Sequence, residues 1–206
     1  MGLRTLYQKK KVPFVTIVFT LLCITACSAT YIKPYLYNYL ALFDHENRTN
    51  QYITFLFVHG NEPHGIQWMH LGMNLLGLLP FGILAEKLLG HIRVAVLFLV
   101  EWGVTLGIFL FLPKDPGANI AGISTVVYAL AVLAAVCLIK IAKKDGRKIY
   151  KQPLTIFFLV ELLGMLSLLN PIAMSGLALA LHASGIAVGV LAAVLWNKKL
   201  DRAIIS

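Results

Sequence analysis

Three observations predict an all-α polytopic membrane protein, a bundle of six transmembrane helices. Of the 206 residues, 59% are hydrophobic and 13% charged, a balance far more apolar than soluble domains show. Apolar runs of the roughly 20 residues that a bilayer demands lie at about 12–31, 66–89, 92–112, 119–141, 153–169 and 172–196. Finally, all but three of the 18 basic residues fall on one side of those runs, the bias that membrane insertion imposes. The spans use nearly the whole chain, so 1–206 reads as one membrane domain, with any chemistry inside the bundle or at its rim.

Each element follows in order. Arg4, Lys9, Lys10 and Lys11 precede span one. Ile24-Thr25-Ala26-Cys27 has the look of a lipoprotein cleavage box, but the run from Val12 is long enough to span and five more spans follow, which favours a retained helix. Residues 32–65 form a long external segment with Tyr31, Tyr35, Tyr37, Tyr39, Phe43, Tyr52, Phe55 and Phe57 in or beside it. Such aromatics are predicted to lie in the interface at headgroup level. Lys87 and Arg93 flank the connection between spans two and three. The turn-rich Pro113–Asn119 stretch leads into span four, with Asn119 as its expected N-cap. Lys140, Lys143, Lys144, Arg147, Lys148 and Lys151 flank the next connection; Pro153 opens span five, and Asn170-Pro171 makes the turn into span six. Lys198, Lys199 and Arg202 close the chain, leaving Lys33, Arg48 and Lys114 on the opposite side. Both termini are therefore expected in the cytoplasm, with the chain in the cell membrane. The net charge of +9 is accounted for by this topology, so no nucleic-acid partner is implied. Cys23, Cys27 and Cys137 lie inside spans and read as small packing residues.

The strongly polar residues within the spans are His70 and Asn74 in span two, Glu101 in span three, Ser124 and Tyr128 in span four, Glu161 in span five and His182 in span six. Such groups are costly in hydrocarbon and usually face the bundle interior. At a rise of about 1.5 Å per residue, His70, Asn74, Ser124 and His182 all fall in the outer half of spans that start outside. They are expected to converge on one wet cavity. His70 and Asn74 share a helical face at i, i+4, as do Ser124 and Tyr128. Gly185 and Gly189 lie on the face of His182, a small-xxx-small pair that lets another helix approach closely.

These residues carry a resemblance. Gly122-Ile-Ser124-Thr-Val-Val-Tyr128 and His182-Ala-Ser-Gly185-Ile-Ala-Val-Gly189, preceded by His70-Leu-Gly-Met-Asn74, resemble the signature segments of rhomboid intramembrane serine proteases. Order, spacing and assignment to spans two, four and six agree, over about 55–197. Gly82-Ile-Leu-Ala-Glu86-Lys-Leu-Leu-Gly90 resembles a further family motif, in which Glu86 would be a structural hydrogen-bonding residue.

The resemblance implies a rhomboid-like bundle without metal or cofactor, acting on transmembrane protein substrates in the lipid bilayer. Ser124 would be the nucleophile and His182 its general base. Tyr128 would pack on the His182 ring, and Gly122 would stand in the nucleophile turn. His70, Asn74 and the Ser124 N–H would face the oxyanion. The chain departs from the family's pattern in three places. Thr125 follows Ser124 where glycine is usual and is expected to crowd the neighbouring helix or narrow the cavity. Asn50-Gln51 stands where the family tends to carry Trp-Arg. The further histidine five residues before His70 is replaced by Gly65, leaving His59 and His64 as alternatives. A client-binding relative that does not cut is the competing expectation, fed by Thr125. A small transporter using Glu101 and Glu161 is another, against which stands the absence of broken-helix pairs or an inverted repeat.

Overall fold

In hydrocarbon a backbone N–H finds no partner outside its own segment, so apolar runs of spanning length close their hydrogen bonds as helices. The computed structural model describes residues 11–45, 48–60, 68–146, 152–167 and 175–205. Among the described residues, five helices are long and apolar enough to cross a membrane: α1 (Phe14–Ile32), α4 (Trp68–Leu89), α5 (His91–Phe111), α6 (Ser124–Asp145) and α8 (Gly176–Leu195). The fifth predicted span is α7 (Pro153–Ser167), 15 residues long, shorter than the usual spanning length. The residues after it, including the expected Asn170-Pro171 turn, lie outside the described residues. The protein is thus an all-α, multi-pass membrane bundle.

α6 is the most buried of the long helices. Leu130, Ala129, Leu133, Ala134 and Cys137 are among its core residues, while Leu99, Val160, Leu163, Val194 and Leu195 of the surrounding helices are exposed, as lipid-facing positions should be. Where Gly189 stands on α8, an added Cβ would come within 2.6 Å of the Ala129 carbonyl oxygen and 2.8 Å of Val132 Cβ. At Gly185 it would run into the Thr125 carbonyl oxygen. The expected small-residue face is therefore the α6–α8 contact. On the far side of α4, the Glu86 carboxylate accepts from the Val15 and Thr16 N–H groups at 2.9 and 2.8 Å and from the Thr16 hydroxyl at 2.6 Å. It thereby takes up orphan donors at the start of α1. His91 contacts the same carboxylate. The three cysteines are buried and unpaired.

The segment between α1 and α4 does more than lie in the interface. It contains α2 (Leu36–Leu40), strand β1 (Leu42–Phe43) and α3 (Gln51–Thr54). Tyr31, Tyr35 and Tyr39 are exposed, but Tyr37, Phe43 and Phe55 turn inward and are buried. β1 pairs antiparallel with β2 (Asn119–Ile120), Leu42 opposite Ile120 and Phe43 opposite Asn119. The expectation that Asn119 caps α6 is corrected by this pairing. Its side-chain oxygen accepts from the Tyr37 hydroxyl at 3.2 Å, and α6 starts later, after Ile123, with no side-chain cap. The short helix α9 (Asn197–Ile205) buries Leu200 and Ile204, and Lys140 on α6 pairs with its Asp201 at 2.5 Å.

Candidate active site

The turn that presents Ser124 is held by backbone contacts on both sides. Gly122 has φ +108°, a conformation open to glycine at little cost, and an added Cβ would lie 3.3 Å from the His59 ring and 3.4 Å from His70. Its N–H donates to the Phe55 carbonyl at 2.8 Å. The Ile123 N–H donates to His59 Nε2 at 3.4 Å, and His59 Nδ1 lies 3.2 Å from the Phe57 carbonyl. That pattern requires the ring proton on Nδ1. His59 is fully buried and packs edge-on against His70, ring centroids 5.2 Å apart. Burial, with the His70 ring beside it, pushes the His59 imidazole down to about 3. Of the two loop histidines left open by the sequence, His59 belongs to this turn; His64 and Gly65 lie outside the described residues. The signal was the His59-Gly60 dipeptide, obscured by its distance from His70.

With β2 and His59 fixing the turn, Ser124 is the first residue of α6. The first turn of a helix carries N–H groups with no carbonyl one turn back and a favourable dipole for negative charge. Ser124 Oγ lies 2.9 Å from His182 Nε2 on α8. For Nε2 to accept from the hydroxyl, the imidazole proton sits on Nδ1, which is buried without a hydrogen-bond partner among the described residues. The ring is held instead by packing. Tyr128, one turn after Ser124, stacks at 4.8 Å between centroids and 42° between planes, and its hydroxyl donates to the Met165 carbonyl of α7 at 2.9 Å.

Ser124, His182, His70 and Gly122 line one cavity of about 290 Å³, together with Thr105, Thr125, Leu181 and residues of the first loop and β2. Asn74 stands back from it. It is buried, and its amide donates to the His70 carbonyl at 3.0 Å, the i−4 carbonyl of its own helix. Thr125 does not crowd α8 as expected. Its side chain turns towards α5, where Thr105 Oγ1 bonds Thr125 Oγ1 at 3.1 Å, and Gly185 leaves room for its carbonyl. Glu101 is fully buried on α5, whereas Glu161 on α7 is partly exposed; neither lines the cavity. At the place of the missing Trp-Arg pair, Gln51 is fully buried. Its amide donates to the Asn38 carbonyl at 2.8 Å and its oxygen accepts from the Arg48 N–H at 3.1 Å.

A hydroxyl against a neutral imidazole, beside a helix start and a second histidine, is the equipment of acyl transfer by an activated serine. No curated protein matches the chain. A family model described as "Rhomboid domain" matches residues 46–199.

Proposed function

Because the chain belongs to the rhomboid family, whose members are in the main intramembrane serine proteases and include inactive ones, we propose that it is an active endopeptidase cutting single-pass membrane proteins with Ser124 and His182. The observation that carries this reading is the 2.9 Å contact between Ser124 Oγ and His182 Nε2 at the wall of a cavity. A client-binding relative that does not cut has no use for that contact.

In this reading His182 Nε2 takes the Ser124 proton as Oγ attacks the scissile carbonyl, then delivers it to the leaving amine. Water enters the same cavity and is deprotonated by the same nitrogen to release the acyl group. The negative charge on the carbonyl oxygen meets the Ser124 N–H and the His70 ring, while Asn74, set back from the cavity, holds the His70 carbonyl. Donors preorganised in a site of low dielectric contribute about 3 kcal/mol each to the barrier. No carboxylate orients His182, so Tyr128 packing does that work. Local unwinding of the substrate helix brings its backbone to the serine. The topology proposed with it has both termini on the cytoplasmic side, as the placement of basic residues favours, and the cavity open to the opposite face. The whole chain is taken to act as one membrane domain in the cell membrane.

The test is labelling by a serine-reactive fluorophosphonate in detergent. Wild type is expected to label, and Ser124→Ala and His182→Ala to lose the signal. Labelling that survives Ser124→Ala, or a folded wild type that never labels, would refute the assignment.

A further inference from the structure

Glu101 is a fully buried carboxyl in the middle of a membrane span, and the proposed chemistry gives it no role. Its Oε1 stands 3.3 Å from the Ser184 hydroxyl, which also bonds the Leu181 carbonyl of its own helix at 2.7 Å. The Thr105 and Thr125 hydroxyls stand beside the same group and bond each other at 3.1 Å, while Oε2 is buried without a hydrogen bond among the described residues. Thr125 follows the serine directly, and Ser184 lies two residues beyond the histidine. A leucine at this position would fill the space without the desolvation cost of a carboxyl, so Glu101 weakens the bundle unless it fixes something. What it touches is the polypeptide on either side of the Ser124–His182 pair.

We infer that Glu101, resting on the protease reading above, is a positioning residue. It ties α8 just past the base to α5, while the Thr105–Thr125 bond ties the first turn of α6 to the same helix. Thr125 in place of glycine is then part of the device. The three helices are locked in one register, and the 2.9 Å contact follows from that lock.

The experiment measures labelling of the full chain by an alkyl fluorophosphonate, separating the limiting inactivation rate from the probe's half-saturation concentration, beside thermal unfolding of each variant. For Glu101→Leu the limiting rate is expected to fall roughly ten- to a hundredfold, the cost of misplacing reacting groups by up to about 1 Å. Half-saturation and unfolding temperature should hold. Glu101→Gln, which keeps the acceptor for Ser184, is expected to restore most of the rate. Should Glu101→Leu fail to fold, Thr125→Val deletes the hydroxyl link with little change of shape and is expected to show the same split. A wild-type limiting rate in Glu101→Leu, or in Thr125→Val where that stands in, or no rescue by Glu101→Gln, overturns the inference while labelled wild type leaves the protease reading standing. A folded wild type without labelling overturns both.

Discussion

The closest approach in the bundle carries the sharpest prediction. At Gly185 a methyl group would meet the Thr125 carbonyl oxygen, with the Thr125 carbonyl carbon and Tyr128 Cβ each at 3.1 Å. The first obstacle is backbone, which cannot rotate aside as a side-chain tip does. In Gly185→Ala, α8 must therefore move from α6 by about 1 Å, since interiors at crystal-like density have little slack. Ser124 Oγ and His182 Nε2 sit on those two helices one turn or less from the contact. Their 2.9 Å separation would open to about 3.9 Å, outside hydrogen-bonding range. Overpacking of this kind costs about 1–3 kcal/mol of stability, and the misplacement about a hundredfold in rate. Gly189→Ala is the control. There the methyl approaches Ala129 O at 2.6 Å, so the helices must also part, by roughly 0.8 Å, but nearly two turns below the dyad. Thermal unfolding in detergent and fluorophosphonate labelling of both variants separate the effects. Both should unfold earlier, and Gly185→Ala should lose far more labelling. Equal labelling in the two, or a Gly185→Ala protein as stable and reactive as wild type, would refute the reasoning.

Other changes test other parts. Removing the acceptor in Glu86→Leu strands the Val15 and Thr16 N–H groups at the start of α1 and should lower stability by about 1–3 kcal/mol in thermal unfolding, with labelling intact below the transition. Tyr128→Phe deletes the bond to the Met165 carbonyl but keeps the ring on His182, so it should cost about 1 kcal/mol and little activity, whereas Tyr128→Leu should slow labelling as well. His59 is held neutral down to about 3, against 6.5 when exposed, so between these values the unfolded chain binds a proton that the folded one does not. Its contribution to stability is present above pH 6.5 and falls by about 1.4 kcal/mol per pH unit below it; His59→Asn should flatten the acid limb of an unfolding-temperature profile, and an unchanged slope would count against burial of the neutral ring.

The spans were legible because hydropathy over about 20 residues is a strong signal that tertiary contacts seldom override, and α1, α4, α5 and α8 start and stop close to where the runs do. That a helix packs closely on the His182 face was legible too, from Gly185 and Gly189, but that the partner is α6 was not. Legibility failed where two or three residues decide the structure. A pair of two-residue strands has no alternation to read, so Asn119 before an apolar run presented itself as a cap although it pairs with Phe43. Gln51 looked like a missing anchor because its partners, the Asn38 carbonyl and Arg48 N–H, are backbone groups that any sequence supplies. Thr125 looked like an obstacle since its neighbour Thr105, 20 residues away in the chain, could not be paired with it without knowing how α5 and α6 cross.

These failures share a location, and the location has a reason. α6 begins without a side-chain cap, because its N-cap position is held by Ile123, whose side chain has no acceptor. The start of the helix must then be fixed from outside. β1 fixes it through β2, Phe55 through the Gly122 N–H, and His59 through the Ile123 N–H. None of those contacts reaches the N–H of Ser124 itself. His182, too, is fixed from outside, since its Nδ1 has no acceptor among the described residues. A carboxylate accepting from Nδ1–H would fix the ring and make Nε2 a stronger base, whereas here the ring is restrained by the face of Tyr128.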